Sequence, residues 1–298
     1  MVKIKRSLKS KLHHWNVVDY LIVLFFVLYM AVALVPILNV LSLSFTRNEY
    51  AITHKGMLFP NFKYFTVAPY GAVFRSEAIY TSLLISIVVT VTATVIHVAT
   101  ALLAGFALSV KKLPFRRCLM MIVLFTMMFN GGLIPLYLTI SSYNMVDTFA
   151  VLVLPGAVSA YSIILMRNFI SNIPSSLLEA AELDGANPFQ VLVKIVLPLS
   201  VPIIATISLF CAIGKWNDWT TGAIYIKSNR WLWPFQNVLQ NIVVNADPQN
   251  STGIDFSEGG GVAFSNALIV ISIVPVTLMY LLTQKFLIKG MMLGSVKG

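Results

Sequence analysis

Six stretches of this chain are apolar for about twenty residues or more at a time, near positions 18–45, 80–110, 118–141, 147–169, 191–214 and 264–284. A helix rises about 1.5 Å per residue, so roughly 20 apolar residues match a hydrocarbon layer about 30 Å thick. In lipid the backbone must satisfy its own hydrogen bonds, and a single apolar stretch does so only as a helix. Charged residues make up 11% of the chain, against about 25% in soluble domains. A packed core does not account for that deficit; an exterior facing lipid does. The sequence therefore predicts an all-α integral membrane protein: one domain over 1–298 with six transmembrane helices.

The net charge of +10 first suggests an anionic partner such as nucleic acid, but its distribution points elsewhere. With the N-terminus inside and six crossings, the inner segments hold 14 basic and four acidic residues, and the outer segments seven of each. The whole excess lies on one side, as the positive-inside rule requires of the cytoplasmic face. Both termini are expected in the cytoplasm of a bacterial cell, and no nucleic-acid partner is implied.

The N-terminal region has a basic start, an apolar run and Ala31-Val32-Ala33, which imitates a secretory signal. The run continues to Leu43, too long for such a signal, so an uncleaved first helix is expected. Cys118 and Cys211 fall toward opposite membrane faces and have no metal-ligand spacing; they are expected to be packing residues, not a disulfide or a metal site.

Several spans should be irregular. Ala101 and Gly105 have the small-xxx-small spacing that lets a neighbouring helix approach. Asn130-Gly131-Gly132 followed by Pro135 should bend or break the third span, either as a packing kink or with Asn130 lining a translocation path. Pro198 and Pro202 should start or bend a fifth span that stays continuous. His97, mid-span, should be satisfied by a neighbouring helix, a proton relay being the rarer role. The first outer loop, about 46–79, is rich in aromatics, and the longest outer segment, 215–263, holds four of the five tryptophans. Within it, 232–244 is too short to span.

Between the fourth and fifth runs lies the segment 174–190, with 179–198 reading EAAELDGANPFQVLVKIVLP. Helix formers, a Gly, an Asn-Pro and a resumed apolar run predict a short helix, a turn and a return to the membrane. Ala180 and Ala181 make a small ridge. Glu179 and Glu182, three apart, share a helical face, with Asp184 following. Gly185 permits a turn that a Cβ would obstruct, and Ile195, Leu197 and Pro198 lead into the next span. An ordinary amphipathic loop with a capping acid would explain any one of these residues, though not the full spacing on the inner side.

The pattern E-A-A-x3-G-x9-I-x-L-P, met by Glu179, Ala180, Ala181, Gly185, Ile195, Leu197 and Pro198, resembles the cytoplasmic coupling loop of permease subunits of binding-protein-dependent ABC importers. The tail, with Gly290, Gly294, Lys297 and Gly298, and the stretches GGLIPLY (131–137) and ILMRNFI (164–170) are similar to the maltose-type, carbohydrate-uptake class. The resemblance covers the chain from about residue 80 onward. It implies a type I ABC importer permease bundle with a coupling helix, a second homologous permease, two ATPase subunits, an extracytoplasmic solute-binding protein and an oligosaccharide substrate. It also implies that Lys297 and Gly298 reach the ATPase. ATP and Mg belong to that partner: this chain has no G-x-x-x-x-G-K-[ST], since Leu209 stands where the first Gly of Gly214-Lys215 would be needed and Trp216 follows.

For the substrate path, Trp216, Asn217, Asp218 and Trp219 at the outer end of the fifth run combine rings for sugar faces with polar groups for sugar hydroxyls. Tryptophan equally belongs to interfacial belts. Lys215, Lys227 and Arg230 hint at an acidic sugar such as a uronate. No H-E-x-x-H, no G-x-S-x-G and no paired intramembrane aspartates suggest catalysis. A permease for a peptide or polyamine is the alternative, and a secondary carrier a more distant one.

Overall fold

The computed structural model describes residues 16–244 and 261–295, with side chains described as far as Phe286 in the last helix. Lys297, Gly298 and most of the Gly259–Gly261 linker lie outside the described residues. The first helix, α1 (Val17–Ser44), runs unbroken through Ala31-Val32-Ala33 and is opened by a reciprocal cap between Asn16 and Asp19. Its first two-thirds expose apolar side chains on every face, and burial begins only past Pro36, with Ser42–Ser44 fully enclosed. The Asn39 amide donates to the carbonyls of Lys55 and Met57, and the Ser42 hydroxyl to that of Leu58, fastening the end of α1 to the first outer loop. That loop carries α2 (Asn48–Thr53), a 3-10 turn at Phe62–Tyr64 and α3 (Ala68–Arg75).

The central rod is α4 (Glu77–Ser109), whose buried positions 79, 82, 86, 89/90, 93, 97, 101 and 105 follow the helical period along one side. α5 (Arg116–Met128) and α6 (Leu133–Ser142) follow, then α7 (Phe149–Val153), α8 (Ala160–Ser171), α9 (Ser175–Leu183), α10 (Pro188–Val191), a π-helical segment (Leu192–Val196), α11 (Leu197–Leu199), α12 (Val201–Trp216), α13 (Thr220–Tyr225), a 3-10 turn (Arg230–Leu232), α14 (Phe235–Val244) and α15 (Val262–Ser295). α8 and α12 pack on α4, and α1 and α12 on α15. Ala101 and Gly105 are buried where α8 crosses α4. A Cβ on Gly105 would stand 2.8 Å from Met166 Cγ, so the close approach expected of this pair is present.

Among the described residues, three helices are long and apolar enough to cross a membrane, or five if each bent pair is one span. The expected break in the third run lies between α5 and α6, which meet at 114°. The fifth run departs from expectation: the stretch Pro188–Leu199 meets α12 at 78°. Pro198 and Pro202 flank the corner at Ser200, and Pro202 has no N–H with which to continue the helical ladder. The fourth run, expected as one span over 147–169, is divided into α7 and α8 by the turn 154–159, where Gly156 has φ +84°.

That turn is tied down by its neighbours. Lys215 Nζ donates to the carbonyls of Leu152 (2.9 Å) and Pro155 (3.2 Å). His97 Nδ1 donates to the Gly156 carbonyl (3.1 Å), and the Thr100 hydroxyl reaches that of Ala157 (2.8 Å). Because Gly156 only accepts, the Nδ1–H tautomer leaves Nε2 to accept from the Ser162 hydroxyl at 2.8 Å. His97 is thus a satisfied interhelical residue. Exposed carbonyls in apolar surroundings cost several kcal/mol each, and this break is built so that four of them have donors.

Candidate functional site

The segment 174–200 forms an elbow that leaves the bundle at the end of α8 and returns at α12. α9 has two unlike faces. Leu178 and Ala181 turn inward onto a cluster with Met166, Ile170, Val191 and Val196. Leu177, Ala180 and Leu183 turn outward with Glu179, Glu182 and Asp184, and Leu183 is 89% exposed. The ridge expected from both alanines is corrected here: Ala181 is buried and anchors the helix, and Ala180 alone is presented. A spacing of one residue moves a side chain about 100° around a helix, so adjacent residues cannot share a face.

The turn closes itself. Gly185 N–H donates to Glu182 O (3.1 Å) and Ala186 N–H to Ala181 O (2.9 Å), with Gly185 at φ +80°. These two bonds and a left-handed residue make the Schellman helix ending, for which glycine carries no Cβ penalty. Asn187 then starts α10: its Oδ1 accepts from Gln190 N–H, and Gln190 Oε1 accepts from Asn187 N–H, both at 2.9 Å. Pro188 occupies the first turn, where its missing N–H costs nothing. Beyond it, Ile195 is half-buried against the same cluster, while Leu197 and Pro198 are exposed.

At the opposite end of the bundle, the four residues expected on a substrate path prove to be structural in different degrees. Trp216 is 1% exposed, packs on Phe235 and donates from Nε1 to Ser272 O at 3.0 Å. It belongs to the core, and the expectation that it lines a path is corrected. The Asp218 carboxylate accepts from the hydroxyls of Thr220 and Thr221 and from Thr221 N–H, opening α13. Burial works to raise its pKa, but the bonds from Thr221 and Thr220 and the Lys215 charge outweigh it and hold it below the usual carboxylate range. Asn217 Oδ1 meets Gln236 Nε2 at 3.5 Å. Trp219 is partly exposed, and its carbonyl accepts from Asn237 Nδ2. Asn130, at the α5–α6 corner, is exposed and accepts from Gly132 N–H at 2.9 Å.

Two polar ties at this end were not foreseen from the sequence, which noted Lys227 only as a cation. Asp147, at φ +59°, accepts from the N–H groups of Lys227, Ser228 and Asn229. The Ser228 N–H first, with those of Lys227 and Asn229, holds its carboxyl below the usual range. Lys227 Nζ donates to the Tyr137 hydroxyl at 2.8 Å, and Tyr137 stacks on Tyr225. The partners stand some 80–90 positions apart, so no local pattern announces them.

Residues 14–288 match the model of the binding-protein-dependent transport system inner membrane component. The chain belongs to that family. It is 38% identical over 286 residues to the polygalacturonan/rhamnogalacturonan transport system permease protein YtcP of Bacillus subtilis, covering 94% of this chain and 98% of that protein. It is 34% identical to protein LplC of the same organism, covering 90% of each. Among solved structures it resembles a chain of a bacterial ABC transporter involved in the import of the acidic polysaccharide alginate, with TM-score 0.81 and 28% identity over 92% of this chain and 99% of that one.

Membership makes this a multi-pass inner-membrane permease component, not an enzyme, with the type I ABC importer permease fold. The elbow then stands at the end of the bundle where α8 and α10 converge, and the polar ties of Asp147 and Asp218 at the other. Each terminates a different set of helices.

Proposed function

We propose that this chain is one permease half of an ATP-driven importer of acidic oligosaccharides, with six spans, both termini cytoplasmic and the elbow 174–190 as its coupling helix. The observation that carries the reading is the elbow itself: a short helix clamped to the bundle by Ala181 and Leu178, with Leu177, Ala180 and Leu183 offered outward. A groove on an ATPase subunit takes that apolar face, and Glu179, Glu182 and Asp184 supply polar anchors around it. One chain carries one such elbow, so a pair of ATPases calls for a second permease. An extracytoplasmic binding protein delivers the substrate, as the family's own description expects. The acidic-saccharide class is supported by the polygalacturonan permease and the alginate importer to which the chain is similar; it favours a saccharide over a peptide or polyamine.

In the transport cycle, nucleotide-driven closure of the ATPases draws the elbow inward. Its inner face is continuous with the cluster at the end of α8, so the bundle turns and the access changes sides. This chain performs no covalent chemistry.

The test is uptake of labelled trigalacturonate into liposomes holding this chain with its permease partner, ATPases and binding protein. ATP-dependent accumulation is expected. Accumulation driven by an ion gradient without ATP would overturn the motor assignment, and import of maltotriose but not trigalacturonate would overturn the substrate class. Gly185→Val should leave insertion intact while ATP hydrolysis continues without uptake. Normal uptake by that variant would remove the elbow from the mechanism.

A further inference from the structure

The first outer loop folds back along the helix that carries it. The Asn39 amide donates to the carbonyls of Lys55 (2.8 Å) and Met57 (2.7 Å), and the Ser42 hydroxyl to that of Leu58 (2.6 Å). Asn39 and Ser42 stand five and two residues before the end of α1 at Ser44, so the loop passes roughly 3–8 Å below that end, toward the membrane interior. Apolar side chains of α1 are still exposed at this depth, Ile37 and Leu41 among them. We infer that the segment 55–63 is a membrane anchor: Phe59 and Phe62 enter the outer leaflet, and Lys55 and Lys63 take the phosphates of anionic phospholipid headgroups. The inference holds for whichever solute the importer carries.

The two rings are held out by a braced loop. Phe62 is 91% exposed and Phe59 75%. Between them, Asn61 Oδ1 caps the Phe62–Tyr64 turn by accepting from Lys63 N–H at 3.1 Å, and Asn61 Nδ2 reaches the Tyr50 hydroxyl at 3.4 Å. The Tyr50 ring stacks on both His54 and Tyr64, with centroids 3.9 and 4.2 Å apart, and Arg47 N–H donates to the Tyr64 carbonyl at 2.9 Å. Phenyl rings gain by leaving water, yet this bracing keeps both from folding under the loop. Apolar surroundings outside the chain satisfy them.

Depth and charge say what those surroundings are. In water, solvent would serve the carbonyls of Lys55, Met57 and Leu58; side-chain donors inside α1 serve them here, as a backbone entering a water-poor layer requires. Ile37, Val40 and Leu41 face α15 across an apolar groove, and at 3.6 residues per turn Asn39 and Ser42 fall on the other side of α1. The loop therefore lies on the side of α1 turned from α15. Between 46 and 76 the chain carries Arg47, Lys55, Lys63 and Arg75 against Glu49 alone, although short outer loops are ordinarily poor in Lys and Arg. Lys55 and Lys63, both exposed, flank the two rings in sequence. Rings at the acyl boundary with cations among the headgroups is the arrangement of an interfacial segment. A protein docking from outside would meet the top of the bundle, not a stretch below the end of a span, so lipid is favoured over the binding protein.

The assembled importer, carrying Phe59→p-benzoylphenylalanine or Phe62→p-benzoylphenylalanine, is placed with its binding protein in nanodiscs of phosphatidylcholine and phosphatidylglycerol in equal parts. After illumination, mass spectrometry identifies what each benzophenone has captured. Phospholipid adducts are expected at both positions, with phosphatidylglycerol exceeding phosphatidylcholine roughly fivefold, the ratio for one basic residue beside an anionic surface. Lys55→Gln combined with Lys63→Gln should bring the two lipids to parity while the adducts persist. Co-purification of all subunits shows that each variant assembles. Capture of the binding protein or of another subunit in place of lipid overturns the inference, and so does the absence of any adduct. Parity of the two lipids with both lysines present overturns the headgroup assignment. ATP-dependent uptake by the same preparation is read separately, so that a failed anchor leaves the importer reading standing.

Discussion

From Ala181 to Gln190 the elbow turns using only its own atoms, with a Schellman ending, an asparagine cap and a proline within ten residues. The other end of the bundle is held by distant partners. Trp216 donates to a carbonyl 56 positions away, Phe235 N–H to the Ser86 hydroxyl 149 away, and Asp147 collects N–H groups 80 to 82 positions on. A locally closed turn keeps its own shape when the cluster it is seated on moves. A turn tied across several helices moves only if they all do. The difference sets a locally specified joint at one end against a cross-braced scaffold at the other.

The comparison breaks most readily at Trp216. Trp216→Ala removes a buried indole and its bond to the Ser272 carbonyl, and should destabilise the protein by about 3–5 kcal/mol. A large fall in the thermal midpoint of the purified complex, with expression reduced, is the expected result. A shift no larger than that of an elbow variant would contradict the contrast drawn between the two ends.

His97→Ala tests the tied break between α7 and α8. It leaves the Gly156 carbonyl and Ser162 hydroxyl without their partner and should cost about 1–3 kcal/mol, read as a lower midpoint for the whole complex. His97→Gln, which retains a donor and an acceptor, should recover part of it.

Asn187→Ala removes the cap of α10 and should cost about 1 kcal/mol locally. Hydrogen exchange should quicken over 183–191 while the global midpoint stays within a degree or two. A global shift matching that of Trp216→Ala would show that the elbow is not a self-contained piece.

The smallest effect concerns pH. Asp147 has a folded pKa below its unfolded value, so its contribution is present above about pH 4 and fades as pH falls through the folded pKa. Protection of the Lys227, Ser228 and Asn229 amides should therefore weaken only in acid, and Asp147→Asn should abolish that dependence. Loss of protection between pH 6 and 8 in the wild type would contradict the assignment.

The same contrast explains what could be read from the chain beforehand. The elbow was legible because its chemistry is local: Gly185 and Asn187-Pro188 specify a turn wherever they occur. The membrane class, the α5–α6 break and the satisfied His97 were legible from hydropathy and the cost of bare polar groups in lipid. The outer end was not. Trp216, beside Asn217 and Asp218, reads as a sugar platform in one dimension, and only the arrival of Phe235 and Ser272 from later helices makes it core. Likewise, the break at Pro155-Gly156 was not read within the fourth run, because its tolerance depends on Lys215 and His97, residues on two other helices.

At Gly105 there is no room for even one methyl between α4 and α8, and the consequence reaches both ends of the molecule. α4 is about 50 Å long at 1.5 Å per residue. It meets the root of the elbow near one tip and packs against α3 and α14 with the other. Locked to α8 without slack, it behaves as a stiff crankshaft: each degree of tilt at the inner tip sweeps the far tip by roughly 0.9 Å. A swing of about three degrees would move the far tip by roughly 2.6 Å, so a small displacement at the elbow is felt at the opposite end of the bundle.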